Sequence, residues 1–588
     1  MVNLTINGTQ VQVPEGTTIL KAARDLGIHV PTLCYFQDLC EVGACRVCCV
    51  EVEGSERLEA ACNTPVRQGM VVITNSPKAE AARKSNVELL ASEHTFDCVS
   101  CHRNDGTCGF QKVLKYCGVD PVKLELESNP VNPRRREWPA DAPIQRDEAK
   151  CIQCGRCIAA CSKLQGINVW HYRGTGAHSH VAVDENQPMH AAGCIACGQC
   201  ITHCPTGALQ ERDDVSRMMA AFRNPEITTV IQIAPATRTA WGTRFGAEPG
   251  ELSVERMAAC LKKLGADYVF DTTFSADLTI MEEGTELLNI VKAGETQKLP
   301  LITSCCPGWV NHAVNKWPEF AAHLSTAKSP MQMFGSLTKT WFAQKNGLDP
   351  EKIFSVALMP CTAKKNETRV PGTQANEGIY DMDLSLTTRE FARMVADAGL
   401  DPMTMTDEPL DDPLGVGTGA GVIFGLTGGV MEAALRTAYC IMVGEKPDPD
   451  GFAFAPAGEG MPWTEATFDL AGTPVRCAVA HGLANADKML AAIKAGQVDY
   501  DFIEIMACPG GCAGGGGQPI DGSDTERAAE RGQVLRNLDQ HKFPLRFSHE
   551  NPVLDVVYSQ FYGEPCSEVS EKYLHVHERQ TPRTPLGM

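Results

Sequence analysis

Cysteine thiols are the residues of this chain whose number and spacing could do chemistry. There are 27 cysteines among 588 residues, and most stand in short runs of the C-x-x-C type. The N-terminus MVNLTINGTQ lacks the basic stretch and apolar core of a signal peptide, and the cytosol keeps thiols reduced, so we expect no disulfide framework. Thiolates at such spacings instead bind zinc or iron–sulfur clusters, and the details of each run must decide between the two.

The clearest pattern is a repeat of four cysteines within residues 151–205. Each copy reads C-x-x-C-x-x-C-x-x-x-C, which is typical of bacterial two-cluster ferredoxins, and the duplication favours iron–sulfur clusters over zinc. In such a pair the fourth cysteine of each run ligates the other cluster. We therefore predict one [4Fe–4S] cluster on Cys151, Cys154, Cys157 and Cys204, and a second on Cys194, Cys197, Cys200 and Cys161.

Six cysteines near the N-terminus offer more thiols than one [2Fe–2S] site needs. By spacing alone, Cys40-x4-Cys45-x2-Cys48 fits the plant-type ferredoxin pattern, with Cys62 as the fourth ligand. The longer stretch LCYFQDLCEVGACRVCCVEV resembles instead a module shared by iron-only hydrogenases and the large iron–sulfur subunit of respiratory NADH dehydrogenase. That resemblance puts Cys34 in the place of Cys40, and we prefer the set Cys34, Cys45, Cys48 and Cys62.

A histidine and three cysteines follow a stretch that is predicted to be helical over residues 79–92. The order His94-x3-Cys98-x2-Cys101-x6-Cys108 would also suit zinc. The arrangement and its position resemble the His-ligated [4Fe–4S] site of the same two families, which implies these four residues as ligands. An imidazole in place of a thiolate leaves the cluster less negative and alters its reduction potential.

Three more cysteine motifs lie in the C-terminal half: TSCCPGW, MPCTAKK and MACPGGCAGGGGQP. Glycines around the last motif permit close backbone approach and aim N–H groups at sulfur. The motifs supply four thiolates from distant segments, which is the number that a cubane cluster needs. These thiolates belong to Cys306, Cys361, Cys508 and Cys512.

With Ala234-Pro235, the run DTTFSADLTIMEEGTEL and LTGGVMEAALRTA, these motifs resemble the catalytic domain of iron-only, or [FeFe], hydrogenases. The resemblance covers essentially the whole chain. It implies an H-cluster, in which the [4Fe–4S] cluster shares Cys512 with a two-iron subcluster that carries carbonyl, cyanide and a bridging dithiolate. It also implies that Lys364 donates a charge-assisted hydrogen bond to a cyanide.

The same resemblance assigns the pocket around the two-iron unit. It is implied to be shaped by Met359, Met506 and the backbone at Ala234 and Pro235. The sequence departs from the family at Met331, in KSPMQMF, where a glutamine is expected, so we expect one polar contact to be missing there.

Cys305 suits a different task from that of its neighbour Cys306. A thiol with a reference pKa of about 8.5 can exchange protons near neutrality, so Cys305 is predicted to relay protons. By family resemblance the route continues through Glu283, Ser325 and Glu286. Glu283 and Glu286 lie three apart on a probable helix and share a face. Only the phase of that helix separates Glu283 from Glu282.

The elements that must position these residues form a multidomain α+β and α/β chain. Strands at Val2–Ile6 and up to Val13, joined at Asn7-Gly8 and followed by a helix at about 17–26, favour a β-grasp fold. A large α/β domain is expected to hold the H-cluster, and a helical segment like the family's small subunit to wrap it. The predicted units are a [2Fe–2S] domain (1–78), a His-ligated [4Fe–4S] domain (79–118), a linker (119–140), a two-cluster ferredoxin (141–222), the H-cluster domain (223–525) and the small-subunit-like segment (526–588).

Charge and composition exclude several partners. The net charge of -19, from 53 basic and 72 acidic residues, would repel nucleic acid and anionic lipid. No apolar run reaches the length of a membrane helix, so a cytoplasmic location is expected. Seven cysteines without an assigned role are predicted to pack in the interior: Cys40, Cys49, Cys117, Cys260, Cys440, Cys477 and Cys566.

Other functions explain less of the sequence. An electron-transfer subunit of the NADH-dehydrogenase type would explain residues 1–220 but not the last three cysteine motifs. A hydrogenase-like iron–sulfur assembly protein would need no proton route, and hydrogen sensors of the family usually add a signalling domain. GVGTGAG at residues 415–421 is only a weak match to a dinucleotide site. Electrons are therefore expected to pass to ferredoxin, or to partner subunits that carry flavin and bind NAD or NADP. The arrangement is similar to the catalytic subunit of NADP-reducing, electron-bifurcating hydrogenases, and we prefer the second possibility.

Overall fold

The first module is a five-stranded sheet in the order β2-β1-β5-β3-β4. The structure, a computed structural model, describes residues 1–121, 138–176, 179–183, 187–375 and 378–576. The predicted hairpin is confirmed, because β1 and β2 pair antiparallel across Asn7 and Gly8, which both have positive φ. The strands are β1 (Val2–Ile6), β2 (Thr9–Val13), β3 (Cys49–Val52), β4 (Glu59–Ala60) and β5 (Val71–Ile73), and the helix of this module is Ile19–Asp25.

The next two modules are small and are built around cysteine loops. The helix predicted over 79–92 is present as Pro77–Ala91, and a second helix, Gly109–Cys117, begins directly after Cys108. In the repeated cysteine runs, the short helices Arg156–Ala159 and Gln199–Thr202 each begin after a glycine with positive φ. Two antiparallel strand pairs complete the module: β6 (Ile144–Arg146) with β9 (Leu209–Glu211), and β7 (Trp170–Arg173) with β8 (His180–Val183).

Two sheets form the centre of the C-terminal half. The first is parallel, in the order β11-β10-β13-β14, and the second is mixed, in the order β12-β18-β17-β16-β15. In the second sheet β12, β18 and β17 run parallel, whereas β16 and β15 form an antiparallel edge. The strands are β10 (Thr228–Ile233), β11 (Tyr268–Asp271), β12 (Leu301–Ile302), β13 (Ile353–Met359), β14 (Leu384–Thr387), β15 (Ala455–Gly458), β16 (Met461–Leu470), β17 (Thr473–His481) and β18 (Phe502–Met506).

The cysteine motifs follow the carboxyl ends of parallel strands. Ala234 comes directly after β10, Cys361 after β13 and Cys508 after β18, while TSCCPGW begins where β12 ends. Loops at the carboxyl ends of parallel strands are where α/β folds place their ligands, because the ends of neighbouring strands meet at one edge. This topology brings segments together that are far apart in the chain.

Helices cover both sheets. The longest, Thr272–Ala293, starts at Asp271, whose carboxylate accepts a hydrogen bond from the backbone N–H of Thr273 and caps the helix. The remaining helices before the C-terminal segment are Val215–Phe222, Val254–Leu264, Pro307–Lys316, Pro318–Ala321, Pro330–Leu337, Ala343–Asn346, Lys364–Glu367, Thr388–Asp397, Gly419–Ile423, Gly429–Val443 and Leu483–Lys494.

The C-terminal segment lies against the catalytic half as helices, as predicted. They span Ala528–His541, Pro552–Val557 and Glu568–Leu574, and Tyr562 and Leu574 are buried in a core shared with the helix Thr272–Ala293. Most of the predicted linker and residues 577–588 lie outside the described part of the chain. Among the described helices, none combines the length and apolarity that crossing a membrane requires.

Candidate catalytic metal site and electron relay

One cavity, of about 90 Å³, lies where the parallel strands of the two sheets end. The four thiols predicted from three distant motifs all line it, as do Cys305 and Lys364. The pocket residues that the sequence suggested also line it: Ala234, Pro235, Met359 and Met506. Met331 is 1% exposed and lies on the same wall, where glutamine was expected.

The chemistry of this thiol set fits a metal cluster. Burial raises the pKa of Cys361 to about 11, with a further contribution from Cys306. Burial, followed by the charges of Cys361 and Cys306, raises the pKa of Cys508 and of Cys512 above the normal range. Thiolates gathered in a buried space repel one another unless cations compensate them, and the irons of a cluster provide that compensation.

Glycines bring the backbone close to these thiols. Gly511 has φ of +76°, and a Cβ there would lie 2.7 Å from the backbone of Thr427. A Cβ on Gly517 would lie 2.8 Å from the backbone nitrogen of Cys361. Both distances are shorter than real carbon contacts allow, so the glycine run is needed for the loop to close around the cavity.

Lys364 is held as a cation at the cavity wall. Its ammonium lies 2.6 Å from the Glu367 carboxylate and donates to the carbonyl oxygen of Cys305 at 3.1 Å. Burial alone would lower the pKa of Lys364, but Glu367 outweighs that effect and raises it. Sequence reasoning missed Glu367, although its i+3 position on the helix is a usual signal for such an ion pair.

Cys305 differs from the prediction in its proton affinity. Burial, and next the charge of Glu283, raise the pKa of the Cys305 thiol well above the reference value near neutrality. The reference value is therefore wrong for this site, because a buried thiolate beside a carboxylate is disfavoured. Cys305 stays protonated at neutral pH, which suits a donor that gives up its proton only transiently.

Of the residues predicted to continue the proton route, Glu283 and Glu286 lie on the helix Thr272–Ala293, and Ser325 lies against Glu286. Glu283 is 1% exposed and acts electrostatically on Cys305, and Ser325 donates to the Glu286 carboxylate at 2.7 Å. Glu282 points away to the C-terminal segment, where it accepts hydrogen bonds from Tyr558 at 2.5 Å and from the backbone N–H of Cys566 at 2.8 Å. The helix phase thus separates the two neighbouring glutamates.

The repeated cysteine runs converge in the exchanged manner. One small cavity is lined by Cys151, Cys154 and Cys157 of the first run together with Cys204 of the second. In the other set, Cys161 contributes to the raised pKa of both Cys194 and Cys200, after the larger effect of burial.

His94 lies with its three cysteines around another small cavity lined by Cys98, Cys101 and Cys108. Its Nδ1 lies 3.1 Å from the carbonyl oxygen of Lys150, which can only accept, so Nδ1 carries the proton and Nε2 is left with a lone pair for a metal. Burial lowers the pKa of His94 to about 4, which keeps the imidazole neutral as a ligand must be.

The six N-terminal thiols form one group of four, and the other two point away from it. A hydrogen bond with Cys45 lowers the pKa of Cys34 to about 6, and a hydrogen bond with Cys62 lowers that of Cys48, so these four thiols lie together. Cys40 turns away, and its sulfur lies 4.0 Å from the carbonyl oxygen of Cys154. Cys49 likewise points out of the group, towards the carbonyl of Ala79 at 3.7 Å.

Contacts between cysteine sulfurs and backbone carbonyls join the [2Fe–2S] module and the His94 module to the two-cluster ferredoxin module. The Cys40 contact joins the N-terminal module to the loop of Cys154, and the Cys108 sulfur lies 3.9 Å from the carbonyl oxygen of Pro205, next to Cys204. Both outer modules thus meet the same ferredoxin thiol set. The other set meets the catalytic cavity, because the charge of Cys508, after burial, raises the pKa of Cys197.

The ferredoxin module and the catalytic domain are also joined by close contacts that the sequence did not predict. The Thr362 hydroxyl donates to the carbonyl oxygen of Ala196 at 2.5 Å, and the Gln199 amide donates to that of Gly514 at 2.9 Å. A Cβ on Gly198 would collide with Thr362. The loop glycines of both domains were visible in the sequence, but nothing indicated that they face one another.

The glycine stretch GVGTGAG at residues 415–421 is a packing feature. Thr418 caps the short helix Gly419–Ile423, and a Cβ on Gly421 would lie 2.5 Å from the carbonyl oxygen of Thr273. The glycines therefore allow this segment to pack against the long helix, and the weak dinucleotide match needs no further explanation.

Family comparisons match most of the chain. The family described as "Iron only hydrogenase large subunit, C-terminal domain" matches residues 227–516, and "Iron hydrogenase small subunit" matches 525–577. In the N-terminal part, "2Fe-2S iron-sulfur cluster binding domain" matches 1–77, "NADH-ubiquinone oxidoreductase-G iron-sulfur binding region" matches 83–123 and "4Fe-4S dicluster domain" matches 150–208.

Similar proteins extend over the full length. The NADP-reducing hydrogenase subunit HndD of Solidesulfovibrio fructosivorans is 43% identical over 98% of both chains. Iron hydrogenase 1 of Clostridium pasteurianum is 36% identical over 98% of this chain and 99% of its own length. A structure of [FeFe]-hydrogenase HydA1 from Chlamydomonas reinhardtii matches with a TM-score of 0.57 and 35% identity, covering 62% of this chain and 98% of that one.

Proposed function

The chain belongs to the iron-only, or [FeFe], hydrogenase family, and we propose how its own residues divide the work of interconverting dihydrogen, protons and electrons. It is a hydrogenase with iron–sulfur domains before its catalytic domain. The observation that carries the proposal is the cavity in which Cys306, Cys361, Cys508 and Cys512 meet beside Cys305. Turnover of hydrogen with a small redox dye, measured on anaerobically prepared protein, tests it, and protein with assembled clusters but no turnover would contradict it.

We propose that these four thiolates would hold the cubane part of the H-cluster and that Cys512 would also serve as a ligand of the two-iron unit. When bound, the H-cluster supplies the site at which dihydrogen is split or formed. Lys364, fixed by Glu367, is suited to donate to an anionic ligand of that unit. Met359, Met506 and Met331, all buried, keep the cavity wall apolar and exclude water.

The proton route consists of groups of this chain. Cys305 gives or takes one proton at its sulfur, and Glu283 exchanges that proton with it across the buried helix face. Ser325 passes protons between Glu283 and Glu286, to which its hydroxyl is hydrogen-bonded. General acid–base groups of this kind must lie within hydrogen-bond reach or one water apart.

The cluster ligands in the N-terminal half are proposed to be those that the geometry groups together. The [2Fe–2S] cluster and the His-ligated cluster would each deliver electrons to the same ferredoxin cluster, and the second ferredoxin cluster would pass them to the H-cluster. This forked order is supported by the contacts of Cys40 with Cys154, of Cys108 with Pro205 and of Cys197 with Cys508.

Cys34→Ala is expected to remove the [2Fe–2S] cluster, because Cys34 lies together with Cys45, Cys48 and Cys62 and would supply one of the four ligands. About two iron atoms per chain and the paramagnetic resonance signal of the reduced cluster should be lost. Cys40→Ala is the matched control and should keep both. Loss of the iron and the signal in Cys40→Ala, with both retained in Cys34→Ala, would show that Cys40 is the ligand instead.

His94→Cys should make the cluster bound at this position harder to reduce, because a thiolate adds one negative charge where the imidazole was neutral. We expect the midpoint potential to fall by on the order of 100 mV. A redox titration followed by paramagnetic resonance measures it. An unchanged potential with the cluster present would mean that His94 is not a ligand.

We further propose that the chain works as one subunit of a hydrogenase complex with flavin-containing partners that bind NADP, or else with ferredoxin. The full-length likeness to a subunit named NADP-reducing supports the first arrangement. Its reduction of NADP should then require the partner subunits, whereas dye-linked hydrogen turnover should not. The domain limits 1–78, 79–118, 141–222, 223–525 and 526–588 are proposed alongside and lie near the limits of the family matches.

A further inference from the structure

The C-terminal segment touches the proposed proton route beside Ser325. Residues 574–576 pair antiparallel with residues 326–328, directly after Ser325. The backbone N–H of Val576 donates to the carbonyl oxygen of Thr326 at 2.7 Å, and that of Lys328 donates to the carbonyl oxygen of Leu574 at 2.8 Å. His575, at the centre of this pairing, is 3% exposed.

A chain of hydrogen bonds runs from His575 to Glu286. Nδ1 of His575 lies 2.8 Å from the Thr326 hydroxyl, and this hydroxyl lies 3.1 Å from the Glu286 carboxylate. The backbone N–H of Thr326 also donates to that carboxylate, at 3.2 Å. A hydroxyl carries one proton, so Thr326 can donate it to Glu286 only when Nδ1 of His575 donates to Thr326.

The other ring nitrogen of His575 is anchored in the interior. Nε2 lies 3.0 Å from the Glu282 carboxylate, which is 0% exposed and can only accept, so Nε2 donates to it. With Nδ1 donating to Thr326 as well, the ring in this arrangement is the imidazolium form, paired with Glu282. Glu282 in turn accepts from Tyr558, Ser570 and the backbone of Cys566. Cys566 has φ of 54°, which is unusual for a residue with a side chain, and this conformation aims its N–H at Glu282. The buried glutamate thereby fixes the orientation of the imidazole.

We propose that His575 is a positioning residue of the proton route: held by Glu282, it directs the Thr326 hydroxyl to Glu286 and so holds that carboxylate in place beside Ser325. The inference rests on the proposed function of Glu286. It gives the small-subunit-like segment a part in proton transfer besides packing. Other titratable groups also face these hydrogen bonds. They are Glu283, one turn before Glu286, and Tyr558, Cys566 and Glu571 on the C-terminal segment. The nearby Lys328 is paired with Asp381.

Thr326→Val tests the proposal with an almost isosteric change. Loss of a hydrogen bond to a carboxylate raises its pKa. The limb of the pH–rate profile that depends on Glu286 should therefore move to higher pH by about one pH unit, and turnover near neutrality should fall several-fold. Infrared difference spectra, in which a protonated carboxyl absorbs apart from a carboxylate, should show the same displacement without turnover. Thr326→Ser should restore both.

The histidine is tested by a matched pair. Glutamine can imitate Nε2 and asparagine Nδ1, so His575→Gln should displace the profile in the same direction and His575→Asn should retain most of the native behaviour. Because His575 acts through Thr326, the double variant should shift no further than Thr326→Val alone. Ser559→Ala is the matched control: it removes an exposed hydroxyl of the same segment, which donates to the carbonyl oxygen of Val556 at 3.2 Å, and we expect an unchanged profile.

Cys305→Ala is measured in parallel with these variants. The turnover of each protein is divided by the intensity of its infrared bands from bound carbonyl and cyanide. An unmoved profile in Thr326→Val, or additive shifts in the double variant, would overturn the role of His575 while Cys305→Ala stays inactive. Native turnover in Cys305→Ala would instead overturn the proton route itself, and with it this inference.

Discussion

Cys305→Ala is expected to lower hydrogen turnover in both directions by at least ~10²–10⁴-fold, the usual contribution of a positioned acid or base. The thiol lines the catalytic cavity, and burial together with Glu283 keeps it protonated, as shown by its raised pKa. Alanine removes the only atom in the side chain that can carry this proton. The measurement is turnover with a redox dye, so that the N-terminal relay is not rate-limiting.

The cofactor must still be present for this result to have meaning. Cys305 is not among the four proposed ligands, so the infrared bands of bound carbonyl and cyanide should remain in Cys305→Ala. Cys260→Ala is a suitable control, because Cys260 is a buried thiol of the same domain whose sulfur lies 3.7 Å from that of Met405, outside the residues that line the cavity. Native activity in Cys305→Ala with the bands intact would contradict the relay.

Cys361→Ala is expected to abolish turnover altogether. In this variant the cubane cluster has lost the ligand that follows β13. Burial raises the pKa of the remaining thiols Cys508 and Cys512, so they ionise readily only when a full cluster compensates their charge. The iron content should fall by at least about four atoms per chain. Since the two-iron unit is proposed to hang on the cubane through Cys512, its infrared bands should disappear as well.

A buried cysteine outside the site provides the comparison. Cys477 is 0% exposed and its sulfur lies 3.8 Å from the carbonyl oxygen of Val475, within the core of the second sheet. Cys477→Ala should retain iron and turnover and lower the free energy of unfolding by about 1 kcal/mol. Equal iron in Cys361→Ala and Cys477→Ala would remove Cys361 from the ligand set.

Local spacing made much of this molecule predictable. The hairpin at Asn7-Gly8, the exchanged ferredoxin runs and the helix that carries Glu283 and Glu286 all depend on residues near one another in the chain. The number of thiolates in the three motifs suggested that Cys306, Cys361, Cys508 and Cys512 share one cubane, and the family resemblance supported that set. No spacing rule, however, predicts that segments so far apart in the chain meet. The topology explains it afterwards, since all three motifs follow parallel strands.

Other features depended on tertiary structure and were not predictable. The choice between Cys34 and Cys40 depends on a turn in which Phe36 and Cys40 pair and aim the Cys40 sulfur at the next module. The direction of Glu282 depends on helix phase and on a segment almost three hundred residues later. The high proton affinity of Cys305 comes from burial beside Glu283, which a reference pKa cannot contain.

Infrared spectroscopy of the anaerobically prepared, hydrogen-active protein tests the central claim most directly. If Cys306, Cys361, Cys508 and Cys512 hold an H-cluster, bands of iron-bound carbonyl and cyanide should appear in the native protein and vanish together in Cys361→Ala. Hydrogen turnover by protein that lacks these bands, or bands that persist in full in Cys361→Ala, would contradict the account.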